Sequence, residues 1–309
     1  SSHKMKPSLP IWKLPKVGSL LLTLFFVAAY CGMRSLPVEP CDFLHSQDTL
    51  GDSEGLEYCG PGESSFIDLD KVTFSLRAEV TPMDTPTAGQ PCTFRLTLHN
   101  YKEESLTAAD ITLSHTRKVH LLCVDESLDD YQHVHPEEDS NQPGIFNFTL
   151  TPRAGGTYKV FLDFIIQRSG ARVLLHDTFR VRGQSSRPDP SVSYEKQVGD
   201  YTFALKMPTN EIPSRQFQTV DFKVWNTATG EPVPLEPVMG AYAHLVAFDG
   251  QRRGFAHFHP LSQEDTVPNS IKSALQFSFS LESPGPYRIW AQVKIDGREI
   301  FVPYDLNVI

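Results

Sequence analysis

The chain has 309 residues, of which 40% are hydrophobic and 21% charged, with a formal net charge of −9. That balance excludes a disordered polymer and allows two ordinary domains with sizeable cores. The acidic surplus excludes non-specific attraction to nucleic acid as a function.

Taken in chain order, the first segment is a targeting signal. Residues 1–16 carry Lys4, Lys6, Lys13 and Lys16, and residues 17–33 (Val17 to Met33) form an uncharged run, "VGSLLLTLFFVAAYCGM". Basic residues stay on the cytoplasmic side, so the body of the protein is expected to be exported to the periplasmic or extracellular side. The run is at the short limit for a spanning helix. Val27 and Ala29 also permit cleavage after Ala29, so a retained transmembrane anchor and a removed signal h-region both fit. Residues 34–66 then form an acidic linker holding Cys41 and Cys59, for which a disulfide is expected in an exported chain. A thiolate metal site there matches no recognisable spacing.

From about Lys71 the pattern becomes β-type alternation. "KVTFSLRAEV", "CTFRLTLHN", "IFNFTLTP", "TYKVFLDFII" and "HDTFRVRG" are separated by turn residues. A polar, Pro- and Ser-rich stretch, residues 184–197, reads as a linker. Alternation resumes in "YTFALKM", "TVDFKVWN", "AHLVAFDG", "LQFSFSLE", "YRIWAQVKIDG" and "IFVPYDLNV". The halves overlay, "GGTYKVFLDFIIQRSGARVLLHDTFRV" on "PGPYRIWAQVKIDGREIFVPYDLNV". The expected fold is all-β: two tandem immunoglobulin-like β-sandwich domains, residues 67–183 and 198–309, independent of each other across a flexible linker. Cys92 and Cys123 occur only in the first repeat, so a bridge between them would be an addition to the fold.

The repeats share one further pattern. "HLLCVDESLDDYQHVHP" (His120 to Pro136) and "HLVAFDGQRRGFAHFHP" (His244 to Pro260) differ in their middles but keep His, twelve residues, His, one residue, His, Pro. Alternate residues on a strand share a face, so His133 pairs with His135 and His257 with His259. A hairpin centred near Ser127 and Leu128 puts His120 directly across from His135, and the same count sets His244 across from His259. Three imidazoles in that layout form a copper or zinc site. His115 and Met239, each five residues before the first histidine, are candidate fourth ligands. Cys123 faces away from His120, which disfavours a blue-copper centre.

Two other readings compete. His-x-His-Pro also serves as a structural corner, its imidazoles bonded to turn carbonyls and its proline ending a strand. The chain would then be a non-enzymatic envelope module whose partner is another protein. In a third reading, a three-histidine zinc site with an open position acts as a hydrolase or hydratase, with Asp125, Asp130 or Asp249 supporting the ligands. His45, His99 and His176 do not cluster in sequence, and the Asn147 sequon lies inside a strand pattern.

The pattern H-L-[VL]…D…[YF]-x-H-x-H-P, followed by G-x-Y-[KR]-[VI] and a closing strand, resembles exported bacterial tandem-repeat proteins with YtkA-like or FixH-related β-sandwich domains. The resemblance covers about Lys71 to Ile309. It implies a sandwich fold and an envelope location, and many such proteins are heavy-metal-associated. The reading drawn from all this is a cell-envelope protein binding copper or zinc for buffering or delivery. Catalysis is not expected, and the membrane is met only through the N-terminal segment if it stays uncleaved.

Overall fold

The structure, a computed structural model, describes residues 15–34, 64–114, 116–186, 193–207, 212–261 and 274–309. The chain divides into two compact units, Ser1–His45 and Ser46–Ile309. In the first, the described residues form one helix, α1 (Pro15–Arg34). Leu20, Phe25 and Phe26 on it are each at least 60% exposed. Among the described residues no helix is long and apolar enough to cross a membrane. Cys41 and Cys59 lie outside the described residues, while Cys31, Cys92 and Cys123 are free thiols.

The second unit is built of strands. Two short ones come first, β1 (Ser64–Ser65) and β2 (Ile67–Asp68). The first repeat supplies β3 (Leu76–Pro82), β4 (Cys92–Asn100), β5 (Ile111–Thr112), β6 (Val119–Val124), β7 (Tyr131–Val134), β8 (Glu137–Asp139), β9 (Gln142–Leu150), β10 (Gly156–Ile166) and β11 (Arg172–Val181). The second supplies β12 (Glu195–Val198), β13 (Tyr201–Lys206), β14 (Gln218–Asn226), β15 (Ala243–Asp249), β16 (Gly254–Phe258), β17 (Ala274–Ser280), β18 (Gly285–Ile295) and β19 (Arg298–Val308).

In the first repeat, sheet β3-β4-β9-β8 faces sheet β11-β10-β6-β7. That is the order of an immunoglobulin sandwich, with a four-stranded sheet over the sheet that holds the central hairpin. Phe94, Leu96 and Phe146 from one sheet meet Leu121, Cys123, Val160 and Leu162 from the other. The second repeat keeps the same three strands, β13-β14-β17, with β12 added beyond β13, over the sheet β19-β18-β15-β16. Its core packs Phe203, Phe222 and Phe277 against Leu245, Ile289 and Tyr304. Each repeat also has a tyrosine corner, where a tyrosine opening the penultimate strand bonds back to the chain just upstream. Tyr158 Oη accepts from the Ala154 N–H at 3.2 Å, and Tyr287 Oη accepts from the Ser283 N–H at 3.3 Å.

The expectation of two independent domains on a flexible linker is corrected. Leu122, Val124, Tyr131, Phe161 and Leu174 of the first repeat share one apolar cluster with Val246, Phe248, Phe255 and Trp290 of the second. These residues alternate with the sandwich-core residues, so they cover the outer face of each hairpin sheet. The two sandwiches therefore lie with those faces together, as four layers of sheet. Strands β6 and β15 are buried along their whole length for this reason. Burying each large apolar side chain contributes about 1.5–3 kcal/mol, so a cluster of this size far outweighs the freedom of a short linker.

Polar contacts reinforce the docking. The Leu128 carbonyl, at the tip of the first hairpin, accepts from Trp290 Nε1 at 3.1 Å and from Arg288 at 3.3 Å. Arg288 also pairs with Asp129. Arg252, at the tip of the second hairpin, donates to the Thr157 carbonyl at 2.9 Å. Each hairpin tip thus grips the other repeat. The expected boundaries shift as well. Residues 67 and 68, expected to open the first repeat, pair through β2 with β16 of the second, and Glu195, Lys196 and Gln197, expected in the linker, belong to strand β12 (Glu195–Val198).

Candidate metal centre

The two hairpins carry the six histidines. Leu121 pairs with Val134 and Leu122 with His133, and this register continued by one residue sets His120 against His135. In the second repeat Leu245 pairs with Phe258 and Val246 with His257, which sets His244 against His259. The register is the one expected from the spacing. Ring centroids are 4.9 Å apart for His120 and His135 and 4.8 Å apart for His244 and His259. In each triad one nitrogen per residue can be chosen so that all three lie within 4.8 Å of one another.

The histidines share the sheet face that carries Leu122 and Val246, so docking buries them. His120, His133, His244, His257 and His259 are all less than 9% exposed, and His135 is half-buried. The triads also meet each other, with His133 and His257 edge to face at 6.0 Å. The two groups of three histidines form as the spacing suggests, and docking brings them into contact across one interface instead of leaving them in separate domains.

The hydrogen bonds set the tautomers. A carbonyl only accepts, so His120 must donate from Nε2 to the Ser114 carbonyl at 3.0 Å, which leaves its Nδ1 a lone pair. That Nδ1 lies 3.3 Å from His133 Nε2. His133 Nδ1 faces Gln292 Oε1 at 3.0 Å, and that contact uses the His133 proton. The short His120–His133 contact therefore brings two lone pairs together with no proton between them. His135 Nε2 is buried and has no hydrogen-bond partner among the described residues. In the second triad His244 donates from Nε2 to the Val238 carbonyl at 2.8 Å, and its Nδ1 lies 3.0 Å from His257 Nε2.

Burial also disfavours the charged form of four of the six imidazoles. It holds His133 and His257 well below the usual imidazole range, and the neighbouring imidazoles push the same way. His120 is lowered mainly by burial, and His135 is lowered to about 3 by burial and by His120. Three neutral imidazoles with converging lone pairs suit a borderline-soft cation. Tetrahedral Zn–N bonds of about 2.0–2.1 Å place ligand nitrogens about 3.3 Å apart, close to the contacts seen here.

Among the other expected residues, His115 lies outside the described residues. Met239 is half-buried with φ 49°, one residue past the carbonyl that receives His244. Cys123 points into the sandwich core, away from the histidines, as its parity predicted. The carboxylates named for a hydrolase are tied up elsewhere. Asp130 holds Arg153 at 2.9 Å and Tyr158 at 2.7 Å, Asp249 holds Arg253 at 2.8 Å, and Asp125 binds Ser127. All sit at the turn ends of the hairpins, where they fasten loops. Sequence reasoning missed Gln292, which hydrogen-bonds His133 of the other repeat. It lies within an ordinary strand pattern, and only docking reveals its partner.

The model of a family described as a domain of unknown function, DUF8832, matches residues 71–182 and again residues 196–309. No functionally curated protein matches the sequence. Among solved structures, the Escherichia coli adhesin FdeC is 12% identical with a TM-score of 0.25, covering 76% of this chain and 65% of its own. The fibronectin(III)-like modules of Clostridium thermocellum CbhA are 12% identical with a TM-score of 0.21, covering 75% of this chain and 93% of theirs. The Yersinia pseudotuberculosis adhesin InvE is 10% identical with a TM-score of 0.21, covering 74% of this chain and 58% of its own.

Proposed function

The chain belongs to the DUF8832 family, whose domain it carries twice, and from its site we propose a non-enzymatic envelope protein that holds copper or zinc between its docked repeats. The observation that carries this is the contact of His120 Nδ1 with His133 Nε2 at 3.3 Å, where both protons are committed elsewhere. Two lone pairs repel at that distance unless a cation lies between them. Anchoring the far nitrogen of a ligating histidine to a carbonyl or amide oxygen is how such sites fix ring orientation. Export follows from the four lysines before the apolar run.

The two sites differ in access. His135 is half-buried at the end of its strand, whereas every member of the second triad is buried. The first site is thus the exchangeable one and the second the more permanent, which suits buffering or delivery. Deep burial and the engaged carboxylates weigh against a hydrolase.

A second reading has its own observation. His244 Nδ1 and His257 Nε2 at 3.0 Å also suit a plain hydrogen bond between neutral rings, and His133 binds across the interface through Gln292. On that reading the histidines cement a module that displays its outer surfaces to a protein partner. Zinc and copper titration of the untagged full chain at pH 7.5 separates the two. The metal reading expects up to two equivalents in wild type and the loss of one in His133→Ala/His135→Ala. Less than one equivalent in folded wild type sinks it.

A further inference from the structure

Gln292 lies on β18 directly across from His244 of its own repeat, yet its side chain reaches the other repeat. It is 1% exposed. Its Nε2 donates to Glu299 Oε2 at 2.8 Å. A carboxylate only accepts, so this contact orients the amide and turns Oε1 toward His133. Oε1 can only accept in turn, and at 3.0 Å it takes the proton of His133 Nδ1. The lone pair of His133 is thereby placed on Nε2, the nitrogen that faces His120.

We propose that Gln292 is a positioning residue for the first triad, supplied by the second repeat, and that the Glu299–Gln292–His133 chain fixes the tautomer that makes His133 a competent ligand. The consequence for binding rests on the metal reading above; the tautomer itself does not. The first site is then completed only when the repeats are docked. The corresponding position in the first repeat is different. There Asp163 lies across from His120 and takes Arg172, with Nε to Oδ1 at 2.9 Å. An ionised carboxylate with a guanidinium does not reproduce an amide's fixed polarity, so the two triads are supported by different chemistry.

The test uses the full chain, with Gln292→Met as a variant of similar shape that lacks the acceptor. Nitrogen-15 NMR of the metal-free protein reads the His133 tautomer. Zinc titration against a chromophoric chelator at pH 7.5 reads each equivalent. Wild type is expected to show His133 protonated on Nδ1, and Gln292→Met to lose that preference. One zinc equivalent should weaken about 10–100-fold while the other is unchanged. The swap Gln292→Glu/Glu299→Gln reverses donor and acceptor between the two strands and keeps an oxygen on His133. It should restore both the tautomer and the affinity. Retention of the Nδ1 proton in Gln292→Met overturns the proposal, as does equal weakening of both equivalents that the swap does not repair. If wild type takes up no zinc but His133 still changes tautomer in Gln292→Met, the positioning role stands and the metal reading falls.

Discussion

The unusual feature at the scale of single residues is a set of imidazoles kept neutral inside a protein. In the unfolded chain each titrates near 6.5, whereas in the fold His133 and His257 lie well below that and His135 lies at about 3. Below about pH 6.5 the unfolded state therefore binds protons that the metal-free fold refuses. The stability these groups contribute is fully present above that pH and is lost as pH falls toward about 3. One such imidazole gives a slope of at most about 1.4 kcal/mol per pH unit. Urea midpoints of the metal-free chain should fall steadily from pH 7 to pH 5, and a flat profile would contradict neutral burial. Tyr131 allows a second test. Its hydroxyl is buried with no partner among the described residues, and phenylalanine occupies the matching position, Phe255. Tyr131→Phe should leave stability unchanged or raise it by about 1 kcal/mol in a melt, because an orphan hydroxyl costs more buried than absent.

Among the elements, the tyrosine corners and the N-terminal strap show how local contacts set the frame. Tyr158 Oη donates to Asp130, which is itself buried, whereas among the described residues the Tyr287 hydroxyl bonds only to the Ser283 N–H. Tyr158→Phe should cost about 1–3 kcal/mol and Tyr287→Phe about 1 kcal/mol or less, read as chemical denaturation midpoints. The strap is the segment Ser64 to Asp68. It pairs with β17 and β16, and it drives Phe66 into the core of the second sandwich. A Cβ on Gly254 would sit 1.7 Å from the Ile67 carbonyl oxygen, so only glycine lets β2 approach. Gly254→Val should release the strap, with faster amide exchange at residues 64–68 and little change in β3 or β4.

Over the whole molecule, the docked faces decide how the repeats behave. Trp290 stands at the centre, against Tyr131 at 5.8 Å and bonded to the Leu128 carbonyl. Trp290→Ala should cost about 3–5 kcal/mol and separate one unfolding transition into two, because the repeats then lose their common core. Calorimetry of wild type and variant checks this. A wild type that already melts in two steps would show that the shared cluster does not couple the repeats. Protease nicking between the repeats should leave the halves associated on a sizing column, since the apolar cluster and the Arg288–Asp129 pair hold them without the chain.

The sequence by itself determined the all-β class, the duplication and the face-sharing of each histidine triad. Alternation has a period of two, and a hairpin register is arithmetic once its turn is placed, so His120 against His135 was legible before any coordinates. What alternation leaves open is which covering layer each face meets. Leu122, Val124 and Phe161 read as apolar residues of a strand, and nothing local says whether they cover a sandwich core or a second domain. Docking is a match between two distant surfaces, and it alone buried the histidines and brought His133 to His257. It also placed Gln292 on a ring 159 residues away in the chain. The triads are local and periodic, so the sequence carries them, whereas their burial, neutrality and tautomers come from long-range packing.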